Sequence, residues 1–484
     1  MTPEEYLKGK KVLVMGLGVY GGGIASVKWL FQHGAAVTVT DLKTEEELKG
    51  SLQKFTLEEK KHITFVLGKH RKSDFKTCDM VIVNPAVPRE SEYLKIAKEN
   101  GAEFENVASL FFRFLENPII GITGTRGKST TTSFIAQLLS KKYGKILPVG
   151  SVDVPLLEEF ARLQKNPKAP TPVELSSWQL ELLPHSGRAP HVAVITNLYA
   201  DHLNRYRGIE DYAKAKANIF AHQTEEDFLI LNADNDWKGF FLEQKPRGKV
   251  FFFSKKPLLK KYEGVFLSRA GNVRVRLDGK EQKLFAIDEF ERKFGSHNVA
   301  NLLAAMLAVK LFDPTLSITK KDIMGLKQAP FREETIFETR TVRVINDSTA
   351  TSPDAVVSAL SRFGKDVSKK NPLILITGGT DKKLDFSKLA LKIEKCVSAE
   401  NLILLDGSAT KRLVEELEKN NLGKKPLQIF ETLEECLSKA AALVEEYKHG
   451  IVIFSPGASS FEKFRNEYDR GEQFSALVKK YFKK

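Results

Sequence analysis

Residues 119–130 read Ile-Ile-Gly-Ile-Thr-Gly-Thr-Arg-Gly-Lys-Ser-Thr, an apolar run that passes through glycines into a lysine and two hydroxyl residues. The run predicts a buried strand, and the composition of residues 132–141 predicts that a helix follows. In that geometry backbone N–H groups wrap around β- and γ-phosphates, Lys128 faces their charge, and the Ser129 hydroxyl is available to Mg²⁺. The glycine spacing is one residue longer than in the common phosphate loop, so an accidental glycine-rich turn is the alternative.

Strand-like apolar runs recur along the whole chain, and most are followed by a stretch of helical composition. This alternation is typical of parallel α/β domains. The runs fall into three groups, and 484 residues exceed the roughly 250–300 that one hydrophobic core supports. We therefore predict three α/β domains: a Rossmann-like N-terminal domain over residues 1–105, a central phosphate-loop ATPase domain with a parallel sheet over 106–327, and a Rossmann-like C-terminal domain over 328–484. Within the central domain, residues 265–286 predict a small antiparallel insertion, and residues 298–311 a helix.

Composition narrows the class of protein without choosing a function. With 42% hydrophobic and 28% charged residues the chain is not disordered, collagen-like or of low complexity. Its 75 Lys and Arg against 61 Asp and Glu give a net charge of +14, which would suit polyanions, nucleotides or anionic membranes. Much of that excess lies in lysine runs typical of a solvated surface. Three scattered cysteines favour a reducing cytoplasm, and neither a signal peptide nor a membrane span is expected.

A second glycine-rich motif, Gly16-Leu-Gly18-Val-Tyr-Gly21, follows the first predicted strand. Without a Cβ, these glycines let backbone N–H groups and a helix N-terminus approach a diphosphate. Asp41 ends the next strand, where an acidic side chain can accept a ribose or base hydrogen bond. The motif leaves three alternatives open: a dinucleotide, another nucleotide diphosphate, and a βα turn without a ligand.

A phosphate loop needs a carboxylate near its metal, and two strand ends offer one, Glu174 and Asp234. Glu174 lies in an otherwise apolar strand, where an unpaired charge is costly, so cation binding is favoured over a buried ion pair. His202 follows another strand and could ligate Mg²⁺ or orient a substrate, although a lone loop histidine is more often solvated. Lys216, among alanines, could equally be a surface lysine.

Polar loops follow the strands of the third group. In open parallel sheets, ligands bind beyond the carboxyl ends of the strands. The loops offer hydroxyls, an amide, a carboxylate, a lysine and an arginine, which suit a small anionic or zwitterionic ligand beside a nucleotide. For each Ser and Thr, a turn or a helix cap is the alternative. The residues concerned are Arg332, 346–351, 378–382 and 455–461.

In their order and spacing, the motifs resemble the Mur ligase family over nearly the whole chain. They are Gly124-Thr-Arg-Gly-Lys-Ser-Thr130, Glu174-Leu-Ser-Ser-Trp-Gln-Leu-Glu181, Asp201-His202, Lys216, His297-Asn298, Arg332, Asn346-Asp347-Ser348 and residues 378–386. The dinucleotide-like N-terminal domain, the Glu-Leu-Ser-Ser-Trp-Gln-Leu string and the Ser-Pro-Gly-Ala-Ser segment before Phe461 are similar to the D-glutamate-adding branch of that family.

The resemblance implies an ATP-dependent ligase of peptidoglycan precursor synthesis. ATP would phosphorylate the carboxylate of UDP-N-acetylmuramoyl-L-alanine, and the amine of D-glutamate would then displace the phosphate to form an amide. Two Mg²⁺ ions are implied, the first held by Ser129 and Glu174 and the second by His202 and Lys216. Lys216 would be carbamylated, because a carbamate supplies the oxygen ligands and negative charge that an ammonium group lacks.

The resemblance also assigns roles to individual residues. The implied catalytic residues are Lys128, Glu174, His202 and Lys216. The implied ATP contacts are Gly124, Thr125, Arg126, Gly127, Lys128, Ser129, Thr130, Asn298, Arg332 and Asp347. The UDP-linked substrate would be held by Gly18, Val19, Tyr20, Asp41, Leu42 and Asn84, and D-glutamate by Thr351, Lys382, Ser460 and Phe461.

Three positions depart from the family pattern, Ser151, Thr349 and Glu467, and they bear on substrate contacts rather than on ATP chemistry. The nearest alternative is another Mur-type ATP-dependent ligase with a different acceptor or amino acid. A nicotinamide-dependent dehydrogenase would use the first glycine motif but leave the phosphate loop unexplained. An NTPase acting on nucleic acid would draw on the net charge, yet no RNA-binding motif or zinc site is found. We expect a cytoplasmic monomer whose partners are its two substrates, without nucleic acid or membrane.

Overall fold

Three β-sheets carry the fold of the residues that this computed structural model describes, which are 1–19, 21–151, 154–202, 205–364, 367, 371–382, 384–419 and 427–482. The chain divides into two compact units, Met1–Lys327 and Gln328–Lys484. Two of the sheets belong to the first unit and one to the second. Within the described ranges, no helix is long and apolar enough to cross a bilayer.

The first sheet lies at the N-terminus. Its strands are β1 (Lys11–Met15), β2 (Ala36–Asp41), β3 (Thr64–Leu67), β4 (Met80–Val83) and β5 (Glu103–Glu105), and its helices are α1 (Pro3–Leu7), α2 (Gly22–Gln32), α3 (Lys49–Leu52), α4 (Leu57–His62), α5 (Lys72–Thr77), α6 (Glu92–Glu99) and α7 (Val107–Phe114). The strand order is β3-β2-β1-β4-β5, with neighbouring strands parallel. This is half of a doubly wound nucleotide-binding fold, in which ligands lie where the order reverses, between β1 and β4.

The second sheet forms the centre of the first unit. Its strands are β6 (Ile119–Thr123), β7 (Thr171–Glu174), β8 (Val192–Ile195), β9 (Phe228–Asn232), β10 (Lys249–Ser254), β11 (Gly264–Leu267), β12 (Asn272–Leu277) and β13 (Lys280–Ala286). Its helices are α8 (Lys128–Tyr143), α9 (Leu156–Gln164), α10 (Ser177–Glu181), α11 (Ile209–Ala217), α12 (Lys238–Glu243), α13 (Asp288–Phe294), α14 (His297–Phe312) and α15 (Lys320–Met324). The strand order is β13-β12-β11-β10-β9-β8-β6-β7.

The antiparallel stretch predicted over 265–286 forms β11, β12 and β13, but it is not a separate insertion. β11 pairs with β10 in parallel, so the hairpin strands extend the central sheet. Strand β10 was not predicted, and it supplies the edge to which they bind. The unpaired backbone N–H and C=O groups at the edge of β10 favour the addition of β11 to the sheet.

The third sheet makes up the second unit. Its strands are β14 (Glu334–Glu338), β15 (Val342–Asn346), β16 (Leu373–Thr377), β17 (Leu402–Leu405), β18 (Gln428–Phe430) and β19 (Gly450–Phe454), and its helices are α16 (Pro353–Phe363), α17 (Ser387–Cys396), α18 (Ser408–Glu418), α19 (Leu433–Tyr447) and α20 (Glu467–Tyr481). The order is β14-β15-β19-β16-β17-β18, and only β14 runs antiparallel to its neighbour among these strands. The last strand in the chain therefore lies between β15 and β16.

The apolar runs become fully buried strands. Every residue of β6, β8, β16, β17 and β19 is buried. Parallel strands that are covered by helices on both faces consist of continuous apolar residues rather than alternating apolar and polar ones. Polar side chains can therefore reach solvent only where such a strand ends. The predicted α/β class is confirmed, with three sheets, and the loops predicted to carry the site lie at these strand ends.

Candidate active site

The predicted phosphate loop, residues 124–130, joins β6 to α8. Gly127 precedes the helix with φ +83°, a left-handed conformation that glycine adopts without strain. A Cβ at this position would overlap the side-chain oxygen of Asn301. No side chain of the described residues caps the first turn of α8, and its N–H groups and positive dipole end favour an anion.

The loop is held by the end of β8. Thr196 Oγ1 and Asn197 Nδ2 donate to the Arg126 carbonyl at 2.7 and 2.9 Å. In return, Asn197 Oδ1 accepts the Arg126 N–H at 2.9 Å, and the Asn197 carbonyl accepts the Thr125 N–H at 3.0 Å. Four hydrogen bonds within the protein therefore connect the phosphate loop to the residues after β8.

Two predicted lysines meet at the start of this loop. Lys128 Nζ donates to the carbonyls of Gly124 and Thr125 at 3.2 and 3.3 Å. Lys216 Nζ donates to the same Gly124 carbonyl at 3.0 Å and to Thr123 Oγ1 at 3.4 Å. The two amines therefore share one carbonyl oxygen, although their residues lie on different helices.

Lys216 is 1% exposed, so it is not a surface lysine. Burial and the nearby charge of Lys128 hold the pKa of Lys216 well below its usual value, while Asp201 and Glu174 act in the opposite direction. A lowered pKa favours the neutral amine, which is the nucleophilic form of lysine. The structure thus brings Lys128, Asp201 and Glu174 close enough to Lys216 to change its pKa.

His202 approaches Lys216 across an aromatic ring. The His202 ring lies 5.3 Å from that of Trp178 and 5.9 Å from that of Tyr212, centroid to centroid. Lys216 Nζ lies 4.5 Å above the same Tyr212 ring. His202 has φ +53°, a strained conformation for a residue with a Cβ, and such strain is common at functional sites.

Asn298 connects to the phosphate loop through a residue that the sequence did not single out. Asn301 Nδ2 donates to Asn298 Oδ1 at 2.9 Å, and Thr131, at the start of α8, approaches Asn301 Oδ1 at 3.5 Å. Asn298 Nδ2 donates to the Phe294 carbonyl at 2.8 Å. The two asparagines therefore connect the start of α14 to the phosphate loop, whose Gly127 lies against Asn301.

Asp41 forms hydrogen bonds to the backbone of the N-terminal glycine motif and of the loop after β2. Asp41 Oδ2 accepts the N–H groups of Leu17 and Gly18 at 2.8 and 3.0 Å, and Oδ1 accepts the Lys43 N–H at 2.9 Å. Asn84 Nδ2 donates to the Gly16 carbonyl. Both predicted substrate residues thus shape the loop itself.

The remaining predicted contacts of this first site lie at its surface. Val19 is 45% exposed and Leu42 is 67% exposed. Exposed apolar side chains beside a glycine loop suit contact with the flat ring of a nucleotide base better than contact with a phosphate. Tyr20 lies outside the described residues.

In the second unit, Asp347 is the buried carboxylate at the end of β15. Its Oδ2 accepts the Ser455 hydroxyl at 2.6 Å, and its Oδ1 accepts the Glu333 N–H at 3.0 Å. Burial, reinforced by the charge of Glu333, raises the pKa of Asp347 to about 7, although Arg332 lowers it. Arg332 is half-buried and follows Phe331, which has φ +57°.

Three loops that carry the predicted amino-acid contacts meet in this unit. Thr351 follows Ala350, whose carbonyl accepts the Gly457 N–H at 2.8 Å. Thr380 and Ser459 exchange two backbone hydrogen bonds of 3.0 Å, which brings the loops bearing Lys382 and Ser460 side by side.

Ser460 differs from the other predicted amino-acid contacts in its burial. It is 2% exposed, and its hydroxyl has no hydrogen-bond partner among the described residues. Lys382 and Phe461 are exposed. A buried hydroxyl without a partner is costly, which makes Ser460 the polar group of these loops with most to gain from a ligand.

Arg470 connects these loops, and no motif in the sequence analysis pointed to it. Its guanidinium is fully buried. Nε donates to Ser348 Oγ at 3.1 Å, Nη2 donates to the Ser348 carbonyl at 2.7 Å, and both Nη atoms donate to Ala458. Nη1 also donates to Ser459 at 3.0 Å. One side chain thus ties the loop after β15 to the loop after β19.

Comparison with known proteins identifies the family. Residues 122–309 match the Mur ligase middle domain, and residues 10–105 match the Mur ligase MurD-like N-terminal domain. The chain is 35% identical over 479 residues to UDP-N-acetylmuramoylalanine--D-glutamate ligase of Roseiflexus sp. (strain RS-1), covering 98% of this chain and 99% of that protein. The chain belongs to the Mur ligase family. This Mur ligase is also 36% identical to a protein of the same name from Borreliella afzelii (strain PKo), and the match covers 98% of this chain and 98% of that protein.

Solved structures agree with this Mur ligase in fold. UDP-N-acetylmuramate-alanine ligase MurC of Thermotoga maritima superposes with a TM-score of 0.58 at 19% identity, covering 97% of this chain and 99% of that one. MurF of Acinetobacter baumannii gives a TM-score of 0.55 at 14% identity, covering 99% and 93%. These structures confirm the fold, and the family resemblance predicted from the motifs is confirmed by the domain matches and the 35–36% identical relatives.

Two Mg²⁺ sites are predicted, and the side chains fit the site at Ser129 and Glu174 better than the site at His202 and Lys216. Mg²⁺ prefers oxygen ligands and keeps several waters or substrate phosphates, which matches the Ser129 hydroxyl and the Glu174 carboxylate. An amine such as that of Lys216 offers no oxygen, so only a modified Lys216 suits Mg²⁺. Among the described residues no three His, Cys, Asp or Glu side chains converge as a metal site.

Proposed function

We propose that this Mur ligase joins D-glutamate to UDP-N-acetylmuramoyl-L-alanine and consumes ATP in doing so, releasing ADP and phosphate. The observation that carries the proposal is the 35–36% identity, over 98% of the chain, to relatives named for this activity. The nicotinamide-dependent alternative is not favoured, because it leaves the phosphate loop without a role.

The chemistry requires ATP because a carboxylate is a poor acyl donor. Transfer of the γ-phosphoryl group to the acceptor carboxylate gives an acyl phosphate with a good leaving group. The D-glutamate amine then attacks the carbonyl carbon, and the tetrahedral intermediate loses phosphate and a proton to form the amide. Lys128 and the N-terminal N–H groups of α8 would stabilise the charge that develops during phosphoryl transfer.

The proposed metal ligands are Ser129 and Glu174 for the ion that accompanies ATP, and His202 and Lys216 for a second ion. Bound Mg²⁺ would offset negative charge on the phosphates and the acceptor carboxylate. Lys216 would first add CO₂: its neutral amine forms an N–C bond, and a proton leaves to give a carbamate. The buried position and lowered pKa of Lys216 support this addition.

Substrate contacts complete the proposal. ATP would contact residues 124–130 together with Asn298, Arg332 and Asp347. The UDP-linked acceptor would contact Gly18, Val19, Tyr20, Asp41, Leu42 and Asn84, and D-glutamate would contact Thr351, Lys382, Ser460 and Phe461. We also propose domain boundaries near residues 106 and 328, a cytoplasmic location and a monomeric state.

A substrate panel tests the proposed function. Purified protein, Mg²⁺ and ATP are mixed with UDP-muramoyl acceptors that differ in their peptide, each with D-glutamate, L-alanine or a diamino acid. Mass spectrometry of the product and phosphate release are measured together. We expect one strong product, from UDP-N-acetylmuramoyl-L-alanine and D-glutamate. Strong turnover with another amino acid would replace the proposed substrate, and the absence of any new amide would overturn the ligase assignment.

A further inference from the structure

An ion-pair network in the first unit connects the loop after β4 to helices α10 and α11. We call its members Arg89, Glu181, Arg205 and Asp211 the clamp. Arg205 and Glu181 each have side chains only 12% exposed, whereas Arg89 and Asp211 are about one-third exposed. Partly buried ion pairs of this kind are screened less than surface pairs.

Arg205 uses its whole guanidinium in the clamp. Nε and Nη2 donate to the two Glu181 carboxylate oxygens at 2.9 and 2.7 Å, a bidentate pair. Nη1 donates to the carbonyls of Pro85 and Val87, both at 2.9 Å. The loop contains two prolines, Pro85 and Pro88, which have no N–H group, so side-chain donors from elsewhere contribute to its shape.

Glu181 is the centre of the clamp. It also accepts the Tyr206 hydroxyl at 2.7 Å and lies 3.3 Å from Arg89 Nε, while Arg89 Nη1 lies 3.0 Å from Asp211. Burial acts to raise the pKa of Glu181, but Arg205, Tyr206 and Arg89 outweigh it and lower that pKa. The carboxylate is therefore charged at neutral pH and binds three partners at once.

The clamp is bonded at both ends to residues of the candidate active site. The His202 carbonyl accepts the Arg205 N–H at 2.9 Å and the Tyr206 N–H at 3.1 Å. At the other end, the Asn84 carbonyl accepts the Val87 N–H at 3.0 Å. Hydrogen bonds thus run from His202 through Arg205 to the loop that begins at Asn84.

We propose that Arg205, paired with Glu181, is a positioning residue that sets the loop of residues 84–88 against His202 and so places the acceptor carboxylate for phosphorylation. This inference rests on the proposed function, in which Asn84 at the start of that loop contacts the UDP-linked acceptor. Neither Arg205 nor Glu181 needs to touch a substrate for the effect. Lysine cannot replace Arg205, because one ammonium cannot serve a bidentate carboxylate and two carbonyls in a fixed plane.

The variants Arg205→Lys and Glu181→Gln test the proposal in the full-length protein. We expect the KM for UDP-N-acetylmuramoyl-L-alanine to rise about tenfold or more in each, with a lower kcat. Gln removes the charge of Glu181, whereas Lys keeps the charge of Arg205 but loses the bidentate pair and the two carbonyl bonds. The KM for ATP should change less than about twofold, because the bonds that hold the phosphate loop are intact. The double variant should be less impaired than the two single effects combined would give, as both substitutions break the bidentate contact between Arg205 and Glu181.

Arg207→Lys is the matched control, because Arg207 lies two residues along the same loop with its side chain 87% exposed. Thermal unfolding of each variant separates misplacement of the loop from loss of fold. Wild-type acceptor KM in folded Arg205→Lys, or equal rises in the KM values for acceptor and ATP, would overturn the positioning role. If instead the wild-type protein forms no amide, the proposed function fails before the variants are compared.

Discussion

The Mur ligase contains two glycine-rich loops that leave the first strand of a parallel sheet and enter a helix, and they differ in charge. The loop of residues 124–130 has Lys128 and Lys216 at its carbonyls. In the loop of residues 16–21, the Asp41 carboxylate takes two of the backbone N–H groups. Lys128 brings a positive charge to the first loop, whereas Asp41 brings a negative charge to the second.

This difference shows that a glycine pattern alone does not choose the ligand. Glycines give a loop its close approach, but the side chains that reach it from neighbouring strands decide the sign of its potential. The cationic loop suits the crowded charge of a triphosphate. The loop at Asp41 has fewer backbone donors left for a phosphate, and the exposed Val19 and Leu42 beside it favour recognition of a base.

Lys128→Ala tests the cationic loop and should have the largest effect. We expect kcat for ligation to fall by at least about a hundredfold, because Lys128 supplies positive charge at the start of α8 that would stabilise the phosphoryl group in transfer. Steady-state rates at saturating ATP measure this. Lys141→Ala, on the exposed face of the same helix, is the control and should retain activity. An undiminished rate in Lys128→Ala would remove the loop from the mechanism.

Lys216→Ala should slow ligation by about ten- to a hundredfold, in line with the loss of one metal ligand or its support. Short carboxylic acids such as formate or acetate should restore part of the rate, since they can occupy the place of a carbamate. Lys214→Ala, on the exposed face of α11, is the control. Full activity of Lys216→Ala without added acid would make Lys216 a bystander.

Asp41→Asn tests the anionic loop. The amide cannot accept the Leu17, Gly18 and Lys43 N–H groups together, because one of its two atoms is a donor. We expect the acceptor KM to rise about tenfold and unfolding to become easier by about 1–3 kcal/mol. Kinetics with each substrate varied in turn check this. A larger change in the KM for ATP than in that for the acceptor would contradict the separation of the two loops.

Thr196→Val removes one of the bonds that hold the phosphate loop and should have the smallest effect. Asn197 Nδ2 still donates to the Arg126 carbonyl, so the loop keeps most of its support. We expect the KM for ATP to rise about threefold, with the acceptor KM unchanged. Thr224→Val, at an exposed turn of the same unit, is the control. Equal changes in both KM values would mean that Thr196 acts on the fold as a whole.

Much of the architecture could be predicted from local sequence. Buried parallel strands need continuous apolar runs, and these runs end in the polar residues that carry the predicted chemistry. The glycines of both loops, Glu174 and His202 were found in this way. The family motifs added Lys216, which composition left ambiguous because a lysine among alanines does not reveal its own burial.

Other functional features left no local signal. The sequence analysis missed strand β10 and the edge strands β5, β14 and β18. An edge strand forms where a neighbouring strand has unpaired backbone groups, and local sequence does not show which strand that is. Glu181 ends a quoted motif and Arg205 lies three residues after His202, yet the sequence analysis assigned a role to neither. Arg470 and Asn301 were not singled out, since their importance lies in loops far away in the chain.

The sequence by itself determined the class of fold, the positions of the two glycine loops and the family of the protein, because these depend on residue type and spacing along the chain. Only the tertiary structure decided which charges meet. It placed Lys216 beside Lys128 and bonded the Asp41 carboxylate to N–H groups of the N-terminal glycine loop. It also joined the loop after β4 to His202 through Arg205. Such contacts depend on distance in space, which residues gain only when separate strands and helices pack together.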